Sequence, residues 1–410
     1  MSHNIFSLPN GIRILFKPAK SAISHCGLLI NAGARDEEFN NPGMAHFIEH
    51  LLFKGTDKRN TNQILNRLEV VGGDLNAYTT KEYTCLHASF LNQHLDRAVE
   101  LLQDIAFCSN FPEQEMEKEK GVIIDEISSY EDQPEEAIND DFEALIFEGH
   151  TLANNILGTR ESVANFTKQN VLDFIQANYN TNEIIFAISG DYDLNKVKKI
   201  TEKHLGLIPK NNNQKHRKTV AANSTKKVIV EKPINQVHCI LGSKAYSYHH
   251  DKKVGLLLLN NLLGGNGMSS RLNLEVREKH GIAYTVESNY TPLSDTGLFS
   301  IYFGTDVEKA DKATRIINKE LKKLRENSLG TIQLMQAKQK FIGQIALGEE
   351  NRLGVLLSMA KSLLDFNRID SLTEVFAKIE ALTAKEILEI ANEIFNENNL
   401  SSLMFKPVNN

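Results

Sequence analysis

The stretch PGMAHFIEHLLFKGT, Pro42 to Thr56, places His46, Glu49 and His50 in an otherwise apolar run. Ala45, Phe47, Ile48, Leu51 and Leu52 surround them. Ionisable groups drawn into such a setting need partners. On a helix, residues four apart share a face. His46 and His50 therefore present two imidazoles to one ion, as zinc requires. Glu49 lies beside them, placed to hold a water on that ion rather than to be a ligand itself. A carboxylate there can take the proton as the water attacks a carbonyl. Catalytic zinc normally has three protein ligands and one open position, so a third ligand has to come from elsewhere. The competing reading of the motif is a surface or capping cluster.

Outward from this stretch the chain reads as alternating strands and helices. Ile5 to Leu8 and Ile12 to Phe16 flank Pro9-Asn10-Gly11, a hairpin signal, and HCGLLINAG is a third strand. Asn41 can cap the motif helix with Pro42 at its first position. A second helix covers Asn62 to Val71, with Ile64, Leu65, Leu68 and Val71 on one face, and stops at Gly72-Gly73. LNAYT and YTCLHASF are strands, and Pro112 opens a long acid-rich helix through EKEKGVIIDEISSYE. Cys85 and His87 are a second candidate metal pair. They stand two apart in a strand-like run, where core packing is the favoured reading.

The second half repeats this plan: strand HCILGSKA, helix KVGLLLLNNLL, helix SSRLNLEVREKHG, strands IAYTVESNY and GLFSIYFG, then another helix. Phe166 to Ser189 parallels Leu382 to Phe405 without a gap; in both, a Thr caps a helix and an apolar strand closes the unit. This predicts an α+β fold of two homologous domains, each a mainly antiparallel sheet with helices packed on one face. The expected boundaries are residues 1–209, a polar linker at 210–225, and residues 226–410. KHRK, Lys215 to Lys218, reads as part of a solvated linker.

The composition is that of an ordinary globular protein, with 41% hydrophobic and 24% charged residues in 410. A net charge of -6 argues against a nucleic-acid partner, whose phosphates call for clustered Lys and Arg. Val254 to Leu263 falls far short of the roughly 20 apolar residues of a membrane span. The N-terminus lacks a basic stretch followed by an apolar one, so no signal peptide is expected. Cys26, Cys85, Cys108 and Cys239 are scattered without CxxC pairs, which suits free thiols in a reducing cytoplasm.

H-x-x-E-H is the inverted zincin signature. The chain resembles the pitrilysin family, the M16 peptidases, over essentially its whole length. In that family the third ligand is a glutamate far downstream on another helix, and Glu126 stands at the matching place in EKEKGVIIDEI. Glu119, two helical turns earlier, matches a supporting acidic residue of the family; outside the resemblance it reads as one acid of a solvated face. GGDLNAYTTKEYT resembles the family's edge strand, where Asn76 and Ala77 lie along the substrate backbone. A peptide added to a sheet edge gains main-chain hydrogen bonds without side-chain reading, which predicts broad specificity. SSRLNLEVREKHGIAYTVES resembles the family's Arg/Tyr segment, in which Arg277 and Tyr284 contact substrate and help stabilise the tetrahedral intermediate.

The resemblance thus implies a metallopeptidase with one zinc per chain on His46, His50 and Glu126, and Glu49 as the base. Its substrates would be peptides or unfolded polypeptides. It also implies a homodimer whose two composite sites each combine the motif of one chain with Arg277 and Tyr284 of the other. The alternative is a noncatalytic scaffold or partner subunit; such chains lose part of the motif, whereas this one keeps all six residues.

Overall fold

A computed structural model describes residues 3–213, 215–221 and 224–408. The chain forms two compact units, neither continuous in sequence. The first comprises Met1–Ser128, Asn154–Arg217 and Gly348–Asp370; the second comprises Ser129–Ala153, Lys218–Leu347 and Ser371–Asn410.

The first unit holds strands β1 (Asn4–Ser7), β2 (Arg13–Pro18), β3 (Ile23–Ile30), β4 (Asp74–Thr79), β5 (Thr84–Leu91) and β6 (Ile184–Gly190). They lie in the order β1-β2-β6-β3-β5-β4. The second holds β7 (Lys227–Lys232), β8 (Val237–Ala245), β9 (Ala283–Pro292), β10 (Gly297–Thr305) and β11 (Ser401–Pro407), in the order β7-β11-β8-β10-β9. Without β1, the two orders match strand for strand. Each sheet has one parallel pair, β2 with β6 and β7 with β11; all other neighbours are antiparallel. The expected α+β class and the repeated plan are both present. Thr167 and Thr383 cap the helices before β6 and β11, each with a full capping box.

Both sheets are buried on two faces, and the alternation of side chains shows how. Leu28 and Ile30 of β3 point into the main helical layer, where Phe47, Ile48 and Leu51 of the motif helix pack. Leu29 points the other way, with Leu15, Cys85 and Ile185, under Leu356, Ala360 and Leu363 of the helix Arg352–Phe366. In the second unit, Ile240, Leu403 and Phe405 are covered by Ile138, Phe142 and Ile146 of the helix Pro134–Ile146. Each covering helix is thus encoded in the other half of the chain. Each fully buried aliphatic side chain here contributes about 1.5–3 kcal/mol over leaving it exposed. Cys85 and His87 keep to strand packing, Cys85 buried and His87 half-buried on β5.

Three local readings are corrected. The motif helix runs over Met44–Leu51 with Gly43, not Asn41, as its N-cap. Gly43 has φ +99°, and a Cβ there would meet Gly158 Cα at 2.8 Å, so the turn excludes a side-chain cap of its own. Leu65 is exposed, whereas Ile64 and Leu68 are buried as expected.

The third correction concerns KHRK. Lys215 and Arg217 are largely buried. Arg217 grips Asp36 with both arms, Nε to Oδ1 at 2.9 Å and Nη2 to Oδ2 at 2.8 Å, and Lys215 Nζ lies 3.2 Å from the same carboxylate. Burial alone would raise the Asp36 carboxyl, but Arg217 and Lys215 outweigh it and hold it below the usual range. Because the native value is depressed, this stabilisation is present above the ordinary Asp value of about 3.9 and is lost as pH falls through the native one. Asp36→Asn is expected to lower the unfolding free energy at neutral pH by about 3 kcal/mol, the low end for breaking a buried pair, because Arg217 keeps Glu82 at 3.5 Å and Lys215 keeps Glu183 at 4.0 Å. Urea unfolding reads this; a loss under about 1 kcal/mol would mean that the contact behaves like an exposed pair.

Candidate metal centre and active site

The motif helix is buried through Met44, Ala45, Phe47, Ile48 and Leu51, which fixes its rotation about its own axis. His46 is buried as well, and Glu49 and His50 are half-buried. The acidic helix Glu113–Glu131 buries Met116, Glu119, Ile123 and Ile127 and brings Glu126 to the two histidines. His46 Nε2 lies 3.8 Å from Glu126 Oε2, and His50 Nε2 lies 3.6 Å from the same oxygen. The ligand atoms of all three residues fall within 4.8 Å of one another. Both contacts to the carboxylate are too long for hydrogen bonds. Three donors converge without bonding each other, an arrangement that fits an ion between them. Among the described residues, no other group of three such side chains is brought together in this way.

The surroundings prepare these donors. Glu119 Oε2 lies 3.1 Å from His50 Nδ1, and Lys54 Nζ lies 2.7 Å from Glu119 Oε1. A bond from Nδ1–H to a carboxylate leaves the Nε2 lone pair free toward Glu126. Burial raises the Glu119 carboxyl, but hydrogen bonds from His50 and Lys54 more than reverse this and leave it below its ordinary value. Burial, with the charge of His50 adding to it, pushes the His46 imidazole down to about 3, so His46 is neutral at physiological pH. Glu49 is raised, chiefly by burial. The Thr79 hydroxyl donates to Glu49 Oε2 at 2.6 Å and fixes the carboxylate beside the histidines.

Thr79 ends β4, the outermost strand of the first sheet. Asn76 and Ala77 lie on β4 opposite His87 and Leu86 of β5. The other edge of β4 pairs with no strand among the described residues.

Arg277 and Tyr284 belong to the second unit and are neighbours there. Within the expected helix, Asn273–Glu278 winds as a π-helix. Tyr284 lies on β9, the outer strand of the second sheet, 85% exposed, with the Arg277 guanidinium 5.3 Å from its ring centre. The helix Lys253–Gly264, which follows β8 as the motif helix follows β3, contains no histidine, aspartate or glutamate. The second unit thus lacks a counterpart of the motif at that place.

Sequence reasoning missed three residues of the site. Lys54 sits in the turn just past the end of the motif helix at Leu51, where a cation near the helix end was a readable signal. Thr79 follows Ala77 on the same face of β4, also a readable pattern. Glu37 had no local signal. Its buried carboxylate accepts from Gly43 N and Ala45 N, both at 2.8 Å, and so caps the motif helix from outside it.

Fold and site together define a two-unit α+β protein with an inverted H-x-x-E-H motif beside a free sheet edge. The sequence model described as Insulinase (Peptidase family M16) matches residues 13–160, and that of the Peptidase M16 inactive domain matches 165–341. The chain belongs to peptidase family M16. It is 30% identical over 394 residues to an uncharacterized zinc protease of Bacillus subtilis, covering 96% of this chain and 95% of that one. A counterpart of the same description in Streptomyces coelicolor is 32% identical over 401 residues, covering 95% and 86%. Among solved structures, a protease from Helicobacter pylori matches with TM-score 0.92 at 24% identity, covering 99% of both chains. A peptidase M16 inactive domain from Pseudomonas fluorescens matches with TM-score 0.92 at 20% identity, covering 100% and 98%. No helix among the described residues is long and apolar enough to cross a membrane.

Proposed function

We propose that this chain is a zinc-dependent peptidase acting on peptides and unfolded polypeptides, with one zinc per chain held by His46, His50 and Glu126. The observation that carries the reading is the convergence of those three donors beside Glu49 at the open edge of β4. Zinc bound there supplies Lewis acidity and lowers the pKa of a water it contacts. The protein's own groups do the rest. The β4 main chain around Asn76 and Ala77 hydrogen-bonds an extended substrate and lays it across the site. Glu49, oriented by Thr79, takes a proton from the attacking water and returns it to the leaving amine as the C–N bond breaks. Glu119 and Lys54 hold the His50 ring. The four unpaired thiols accord with a cytoplasmic setting. A digest of an unfolded-protein peptide library, read by mass spectrometry, tests this. Cleavage that stops with chelator and returns with zinc is expected; no cleavage under any metal condition would favour a scaffold role.

The second part of the reading is a homodimer with two composite sites, in which Arg277 and Tyr284 of one chain serve the motif of its partner. Its support is that one chain carries both sets of residues, with the exposed Arg277–Tyr284 pair on the second unit. Glu49→Gln and Tyr284→Phe homodimers are each expected to be poor enzymes. In a mixed dimer both defects fall in one site and the other stays intact. Mixing after subunit exchange is expected to restore up to about half of wild-type activity per mixed dimer. Exchange without recovery would rule out the shared site.

A further inference from the structure

Behind the edge strand, on the face of the sheet away from the metal site, the first unit holds a cleft of about 420 Å3. Tyr78 of β4 and Tyr83, just before β5, form one side. The other side is one stripe of the helix Arg352–Phe366, including Leu357, Ser358, Lys361 and Asp365. That helix packs over β3 and β6 through Leu356, Ala360 and Leu363, and the cleft opens between its next stripe and the two tyrosines at the outer strands.

The pleat of β4 connects this cleft to the substrate edge. Leu75 and Ala77 pack into the main helical layer, and Thr79 on that same face reaches Glu49. Tyr78 faces the opposite side, with Leu29 and Cys85. Residues directly opposite on paired strands place their side chains on the same face. A peptide added to β4 therefore turns the side chains paired with Ala77 and Thr79 toward the metal site. It turns the one paired with Tyr78 toward the cleft.

We propose that this cleft is a side-chain subsite for the bound peptide and takes a bulky uncharged residue, aromatic or long aliphatic. The proposal rests on the peptidase reading above and adds a side-chain preference to the broad, main-chain recognition of a bare edge strand. The chemistry of the walls sets the class. Two tyrosine rings, the Leu357 side chain and the Lys361 stem supply apolar surface. The one cation and the one anion pair with each other, Lys361 with Asp365, and Lys361 also lies 5.0 Å from the centre of the Tyr83 ring. The lining thus has no excess of either sign to favour a charged side chain.

The test uses the zinc-loaded full chain. A peptide-library digest first locates the cleavage sites, and paired peptides are then made with Phe or Ala at each position next to the cut. At one position, wild type is expected to favour Phe over Ala by about tenfold or more in kcat/KM, the usual discrimination of an apolar pocket. Ser358→Trp, on the exposed wall of the cleft, should collapse that ratio toward one. Ser358→Leu should lower it less, a grading by side-chain size that general damage to the fold would not produce. An unchanged ratio in both variants, or no Phe preference at any position in wild type, overturns the subsite and leaves the peptidase reading intact. A wild-type chain that cleaves no peptide overturns the peptidase reading and the subsite with it.

Discussion

Glu49→Gln is expected to cut peptide hydrolysis by about two to four orders of magnitude, the usual worth of a general base, with the fold and the metal retained. The amide has the size of the carboxylate, and its oxygen can still accept from Thr79 Oγ1. What it cannot do is take a proton. None of the three converging donors is Glu49, so zinc should stay at one per chain. Metal analysis, thermal unfolding and kcat/KM measured on the same preparation separate these effects. Near-normal turnover would sink the assignment of Glu49 as the base. Full loss of zinc would make Glu49 a ligand instead.

His50→Ala is expected to remove the metal and the activity together. Residues that only orient a ligand already cost about 10–100-fold in metal affinity, so loss of the ligand itself should cost more. The fold should survive. Glu119, which His50 leaves without one partner, keeps Lys54 at 2.7 Å and is not stranded as a lone buried charge. A readout independent of catalysis is available. Zinc that binds only the folded state raises its stability in proportion to the logarithm of free zinc over Kd. Wild type should therefore gain thermal stability as zinc is added after chelation, and the variant should gain none. A His50→Ala chain that still holds zinc at full occupancy would refute the ligand set.

These two residues were legible because their information is local. The spacing of His46, Glu49 and His50 on one helix, with apolar neighbours that bury it, needs no tertiary knowledge. The repeated plan of elements was legible for the same reason, since Thr167 and Thr383 each announce a helix that leads into an apolar strand. Glu126 and Glu119 were reached only through a resemblance. Nothing in the periodicity of an acid-rich helix tells a ligand from a solvated acid until the helix is set against the histidines.

What the sequence by itself determined is the alternation of elements, the duplicated plan, the motif and the identity of β4 as a strand beside it. Tertiary structure alone decided which surfaces those elements meet. The helices Pro134–Ile146 and Arg352–Phe366 show an apolar face in sequence, but a periodic pattern reports that a face is buried, not which sheet buries it. Only the packed chain places each of them on the sheet built mainly from the other half. The same holds for Glu37 at the start of the motif helix and for Lys215 and Arg217 on Asp36. Each is polar and looks fit for solvent in sequence. Lys215 and Arg217 are buried because a distant segment supplies the partner that offsets their lost hydration, and Glu37 because the turn into the motif helix brings the Gly43 and Ala45 amides to its carboxylate.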